Sequence, residues 1–129
     1  MGTQTSQHFN RDEFLRRMDG DEEDAQFILE HTKDTIESII VEFEDAIATE
    51  ELERVRAAAH KIKGTSRSLT FEKLAEKALA LEKTAASGKE IAESSSSAES
   101  EEEKKRVLGE IHRLAGEIVD EFHYVKTLI

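Results

Sequence analysis

Residues 21–47 read DEEDAQFILEHTKDTIESIIVEFEDAI. Apolar side chains recur at Ala25, Ile28, Leu29, Ile36, Ile39, Ile40, Phe43 and Ile47. That spacing places them on one stripe of a helix about six turns long. Asp21 stands where an N-cap is needed. Glu22, Glu23 and Asp24 fill the first turn, where the helix dipole favours acids. A long helix with a single apolar face must bury that face against other helices. The rest of the chain supplies them. Val107, Leu108, Ile111, Leu114, Ala115, Ile118, Val119, Phe122, Val125 and Leu128 form a second stripe, behind a capping-box spacing at Ser100 and Glu103. Phe71, Leu74, Ala75, Ala78, Leu81 and Ala85 form a third, over about 71–86. A further helix is predicted over about 50–69, capped by Thr49, with Val55, Ala58, Ile62, Ser66 and Leu69 toward the core.

Composition agrees with an all-α fold. The 129 residues include no Pro, no Cys and no Trp, and only 6 Gly. Proline is the strongest helix breaker, and a chain of this length ordinarily carries several. Asn10 and Glu13 have capping-box spacing before a short helix, Arg11–Met18, that stops at Asp19-Gly20. Residues 1–9 are polar and read as a flexible tail. Gly88 and the run Ser94–Ser97 mark a mobile Ser-rich loop at about 87–99. Short connections make neighbouring helices antiparallel. The expected architecture over 10–129 is an up-down antiparallel four-helix bundle with a short N-terminal covering helix.

Absent cysteine removes disulfides, thiolate metal sites and cysteine nucleophiles. No apolar run suits a signal peptide or a membrane span. A net charge of −11 argues against nucleic acid and anionic lipid as partners. Metal binding is disfavoured. His8, His31, His60, His112 and His123 show no E-x-x-H or H-E-x-x-H spacing, and Glu110/His112 and Glu121/His123 point ~200° apart on a helix. No Gly-rich phosphate loop suggests an ATP-using kinase.

One window departs from this acidic background. Arg54–Arg67 holds Arg54, Arg56, Lys61, Lys63 and Arg67 and no acid, so it carries +5 and leaves −16 to the remainder. At ~100° per residue, His60 lies opposite the apolar stripe and faces solvent. Glu53, Arg56, Ala57, Lys63, Gly64 and Arg67 share its side. Gly64 is costly in a helix, by ~1 kcal/mol relative to Ala. Without a Cβ it lets another molecule approach the imidazole. Histidine, with an ordinary pKa of ~6.5, offers a free ring nitrogen near neutral pH. That nitrogen can attack phosphorus, and Lys63 one turn on can offset the incoming charge. The plain alternative is a solvated histidine on a basic face of a non-catalytic, acidic helical-bundle adaptor or scaffold.

The stretch Ala59-His60-Lys61-Ile62-Lys63-Gly64 resembles the A-H-x-[LI]-K-G signature of histidine-containing phosphotransfer (HPt) domains. FNRDEFLRRMDGDEEDAQFILEHTKDTI before it and LTFEKLAEKALALE after it look like the flanking helices, so the resemblance covers roughly residues 9–128. It implies a phosphorelay intermediate of two-component signalling, a carrier without a kinase or phosphatase site of its own. His60 would accept a phosphoryl group from a receiver-domain aspartate and pass it to another receiver. Lys63 would stabilise that group and Gly64 would leave room for the receiver. Arg56, Ala57, Lys61, Arg67 and Glu82 would face the partner, Glu82 standing where the family often has Gln or Glu. The expected partners are response-regulator receiver domains and a hybrid sensor histidine kinase. No cofactor is bound, and Mg²⁺ is expected from the receiver. The carrier is expected to be a cytoplasmic monomer, and Met1 with a capped first helix suggests a free-standing protein. Three departures stand out: Thr70 where the family usually has Gly, Arg67 where it usually has a small residue, and Glu82 as a carboxylate rather than an amide, which would repel a phosphoryl group close to it.

Overall fold

A computed structural model describes residues 7–94 and 98–129. It contains α1 (Arg11–Arg17), α2 (Glu22–Ala48), α3 (Leu52–Ser68), α4 (Glu72–Ser94) and α5 (Ala98–Leu128), and no strand among the described residues. Each of α2–α5 packs against two of the others, which closes a four-helix bundle. Neighbours run antiparallel. Lys63 meets Glu82 while the earlier Glu53 meets the later Lys89, and Lys77 meets Glu117 while Gly88 meets Val107.

The apolar stripes become the core. Leu29, Ile36 and Phe43 of α2 face Val55 and Ile62 of α3, Leu74 and Leu81 of α4, and Ile111, Ile118 and Phe122 of α5, all buried. Each large side chain removed from water contributes roughly 1.5–3 kcal/mol before conformational entropy is counted. On α3 it is Ala59 that is fully buried, while Ala58 is half-buried, so the stripe is turned slightly from the expected line.

The helix ends explain most departures from expectation. Asn10 and Asp21 cap α1 and α2 as expected, accepting from the backbone N–H groups of Glu13 and Asp24, each at 3.0 Å. Thr49 instead ends α2. Its hydroxyl donates to the Ala46 carbonyl at 2.7 Å and accepts from the Glu51 amide at 3.1 Å. Glu50 turns the chain through a left-handed conformation, φ 54°, and α3 starts only at Leu52. Ser100 lies inside α5 rather than at its start.

The expected mobile loop at about 87–99 is corrected in its first half. α4 continues to Ser94, and residues 95–97 lie outside the described residues. Gly88 is buried, and a Cβ there would come within 2.6 Å of Val107 Cγ1. It is a small residue inside a helix that allows α5 to approach closely, not part of a loop. The expected flexible tail over 1–9 is corrected at Phe9. Residues 1–6 lie outside the described residues, but Phe9 is a core residue at 3 % exposure, its ring 5.6 Å from Phe71 and 6.0 Å from Phe14. Phe9 therefore helps to seal the end of the bundle that α1 covers.

The end of α3 is fixed by a Schellman motif. The Phe71 amide donates to the Ser66 carbonyl at 2.8 Å and the Thr70 amide to the Arg67 carbonyl at 3.3 Å. Such a motif needs a left-handed residue, and Thr70 fills the place at φ 60°. A β-branched residue is strained there. Two contacts with Asn10 hold it: the Thr70 hydroxyl lies 2.8 Å from the Asn10 carbonyl, and the Asn10 amide donates to the Thr70 carbonyl at 3.0 Å.

Candidate functional site

α3 carries His60 on its outer face, as its helical position requires, with the side chain 63 % exposed. α4 runs antiparallel beside it and brings Glu82 to the same level. The Glu82 carboxylate bridges two residues of α3. Its Oε2 lies 2.8 Å from His60 Nδ1, and its Oε1 accepts from Lys63 Nζ at 2.7 Å. Lys63 and Glu82 are mostly covered, at 14 % and 16 % exposure. The Lys63 ammonium holds the Glu82 carboxyl below its ordinary value of 4.5; burial opposes this, and His60 adds to the lowering.

The geometry fixes the chemistry of the imidazole. A carboxylate accepts only, so Nδ1 must carry the proton that faces it. In the neutral ring it is then Nε2 that carries the lone pair. A bare carboxylate at this distance would repel a phosphoryl group. Here its charge is shared between an ammonium and the imidazole N–H, so it orients the ring.

Gly64 is exposed, and a Cβ built there meets nothing within 4 Å. Nothing inside the bundle requires glycine at this position. Arg56, one turn before His60, donates to Glu53 through Nε at 3.1 Å and Nη2 at 2.6 Å. Glu53 also accepts from Lys89 of α4 at 3.1 Å. These two cations bring the Glu53 carboxyl down to about 2, Arg56 most strongly. The sequence shows the Glu53–Arg56 spacing but hides Lys89, which falls in the stretch read as loop.

The other expected partner-facing residues spread around His60. Ala57 is exposed beside it, and Lys61 sits 3.6 Å from Glu42 of α2 with both side chains exposed. Ala57 and Lys61 border a groove of about 400 Å³ between α2 and α3, floored by Ile39, Phe43, Ile62 and Phe122. Arg67 is exposed and pairs with no carboxylate among the described residues. Its carbonyl accepts from Arg17 Nη1 at 2.7 Å, which ties α1 to the end of α3. Among the described residues no group of three or more His, Cys, Asp or Glu is placed to hold a metal ion. No helix among them is long and apolar enough to cross a membrane.

Comparison with known proteins matches this arrangement to one family. The family model of the Hpt domain matches residues 28–117, which take in most of α2, all of α3 and α4 and much of α5. No curated protein and no solved structure gives a significant match. Hpt domains are histidine phosphotransfer carriers of phosphorelay signalling, which work with response-regulator receiver domains. An exposed histidine on the central helix of a closed bundle, set by a carboxylate from the next helix, together with a match over most of the chain, makes this protein a member of the Hpt domain family.

Proposed function

We propose that this chain takes a phosphoryl group onto His60 Nε2 from a receiver aspartate and hands it to a second receiver. The observation that carries this reading is the Glu82 bridge, which engages Nδ1 of a side chain that is 63 % exposed and so favours Nε2 as the acceptor. The Nε2 lone pair attacks phosphorus in line while the bond from phosphorus to the aspartate oxygen breaks. The aspartate leaves as carboxylate, and the Nδ1 proton stays on the ring against Glu82. The reverse sequence loads the next receiver. Little covalent chemistry is asked of the carrier beyond the nucleophile. Positioning and charge do the rest. Lys63 partly offsets the incoming charge, and Gly64 gives the receiver access.

Docking uses the face around His60. The groove beside Ala57 and Lys61 offers apolar surface, while Arg54, Lys61 and Arg67 meet the acidic rim of a receiver. Mg²⁺ comes with the receiver's own carboxylates, and the carrier binds no cofactor. The partners are receivers, including that of a hybrid sensor kinase, and the carrier works as a cytoplasmic monomer.

The test is transfer from phosphorylated receivers to wild-type protein and to His60→Gln. Acid-labile label should appear on the wild type and be absent from His60→Gln. Equal uptake by the two overturns the reading.

A further inference from the structure

Lys63 offsets part of the incoming charge but is already bonded to a carboxylate. It is 14 % exposed and bonded at 2.7 Å to Glu82, which itself must stay to hold His60. The remaining cations of this face are unequal. Lys61 is turned ~100° away, and Arg67 is two turns along the helix. Arg56 is one turn from His60 on the same side, within side-chain reach of a group on the imidazole. The Glu82 carboxylate that touches His60 also acts on the Arg56 guanidinium and helps to raise its pKa, Glu53 being the larger cause. Arg56 therefore already shares its electrostatic surroundings with the reacting face.

Its present partner is arranged so that it can be given up. Glu53 accepts two bonds from Arg56 and one from Lys89. Were Arg56 to leave, Lys89 would still neutralise Glu53. A guanidinium fork suits a phosphoryl group better than an ammonium does, because two N–H groups meet two oxygens in one plane.

We propose that Arg56 is a second phosphoryl-binding cation of this site, parked on Glu53 in the resting protein and drawn to the phosphoryl group as it reaches His60. The proposal rests on His60 being the acceptor. In the step itself the Nε2–P bond forms, the bond from phosphorus to the leaving group breaks and the leaving group takes its electron pair. Arg56 exchanges a carboxylate for the phosphoryl oxygens, and Lys89 stays on Glu53.

Phosphoramidate, a small donor that needs no receiver, tests this on the full chain. Its P–N bond breaks and ammonia leaves. Labelling is followed at each histidine by peptide mass spectrometry. His31, an exposed histidine of α2, serves as the internal reference. Arg56→Ala should slow labelling at His60 by about five-fold and leave His31 unchanged, with Arg56→Lys in between. Glu53→Gln should instead speed labelling at His60 by about two-fold, because it releases Arg56. The two variants break the same ion pair, so a merely structural role moves them in the same direction. No change in Arg56→Ala, or slowing in both, overturns the proposal. If wild-type His60 labels no faster than His31, it is the His60 reading that fails.

Discussion

Glu82 of α4 holds His60 of α3 by its Nδ1 edge, oxygen to nitrogen 2.8 Å, and uses its other oxygen for Lys63. One carboxylate thus decides which ring nitrogen is free and where the nearest ammonium sits. Removing the carboxylate and removing its ammonium act by different routes. Glu82→Ala leaves the tautomer unset, and transfer from a phosphorylated receiver should fall by about ten-fold. Glu82→Gln still offers an acceptor to Nδ1 and should stay within about three-fold of wild type. Lys63→Ala leaves a carboxylate unshielded beside the incoming phosphoryl group. It should slow transfer by about ten-fold while receiver affinity barely moves. Rapid-quench transfer rates paired with binding titrations separate these cases.

The same carboxylate makes stability depend on pH with a definite sign. Lys63 first, and His60 after it, keep the folded pKa of Glu82 below 4.5. The unfolded chain binds that proton more readily, so the pairing stabilises the fold fully above the ordinary carboxylate value. It is lost as pH falls below it, through the lowered folded value. Denaturant unfolding of wild type and Glu82→Gln should differ by about 1–2 kcal/mol at pH 7, and the difference should shrink steadily below about pH 4. A difference that is constant with pH would show that Glu82 is not ionised in this bridge.

Two helical glycines should respond in opposite ways to alanine. Gly64 faces open space, so Gly64→Ala should stabilise the fold by up to ~1 kcal/mol. The same change should slow transfer from a receiver yet leave labelling by phosphoramidate unaltered, since only the larger donor needs the room. Gly88→Ala drives a methyl to 2.6 Å from Val107 Cγ1. Overpacking of about 1–3 kcal/mol then outweighs the gain in helix propensity, and the protein should melt earlier. Thermal melts of the two variants check the sign of each.

Thr70 holds a left-handed conformation that suits glycine, and its hydroxyl repays part of the strain through Asn10. Thr70→Ala keeps the strain and loses the hydrogen bond, so it should destabilise by about 1–2 kcal/mol. Thr70→Gly loses the bond but relieves the backbone, and should stay within about 1 kcal/mol of wild type. Equilibrium unfolding in urea gives the order directly.

How far the residues alone revealed this molecule depended on periodicity. The stripes of α2 and α5 placed both helices because 3.6-residue spacing persists over many turns. The outward placement of His60 and Gly64 was legible for the same reason, since the apolar side of α3 fixes what lies opposite. Gly88 was misread as loop because a glycine looks the same whether it loosens the chain or admits a neighbour, and only the approach of Val107 decides. Phe9 was lost in a polar stretch too short to show a period. The role of Glu82 was out of reach, because a carboxylate repels or positions according to partners that lie 19 and 22 residues away in sequence.

The central claim is that Nε2 of His60, not Nδ1, takes the phosphoryl group. Nitrogen and phosphorus NMR of ¹⁵N-histidine-labelled protein, phosphorylated by its receiver, reads this directly. The predicted result is phosphorus coupled to Nε2 of His60, with the Nδ1 proton retained. Phosphorus on Nδ1 of His60, or on any other residue, would contradict it.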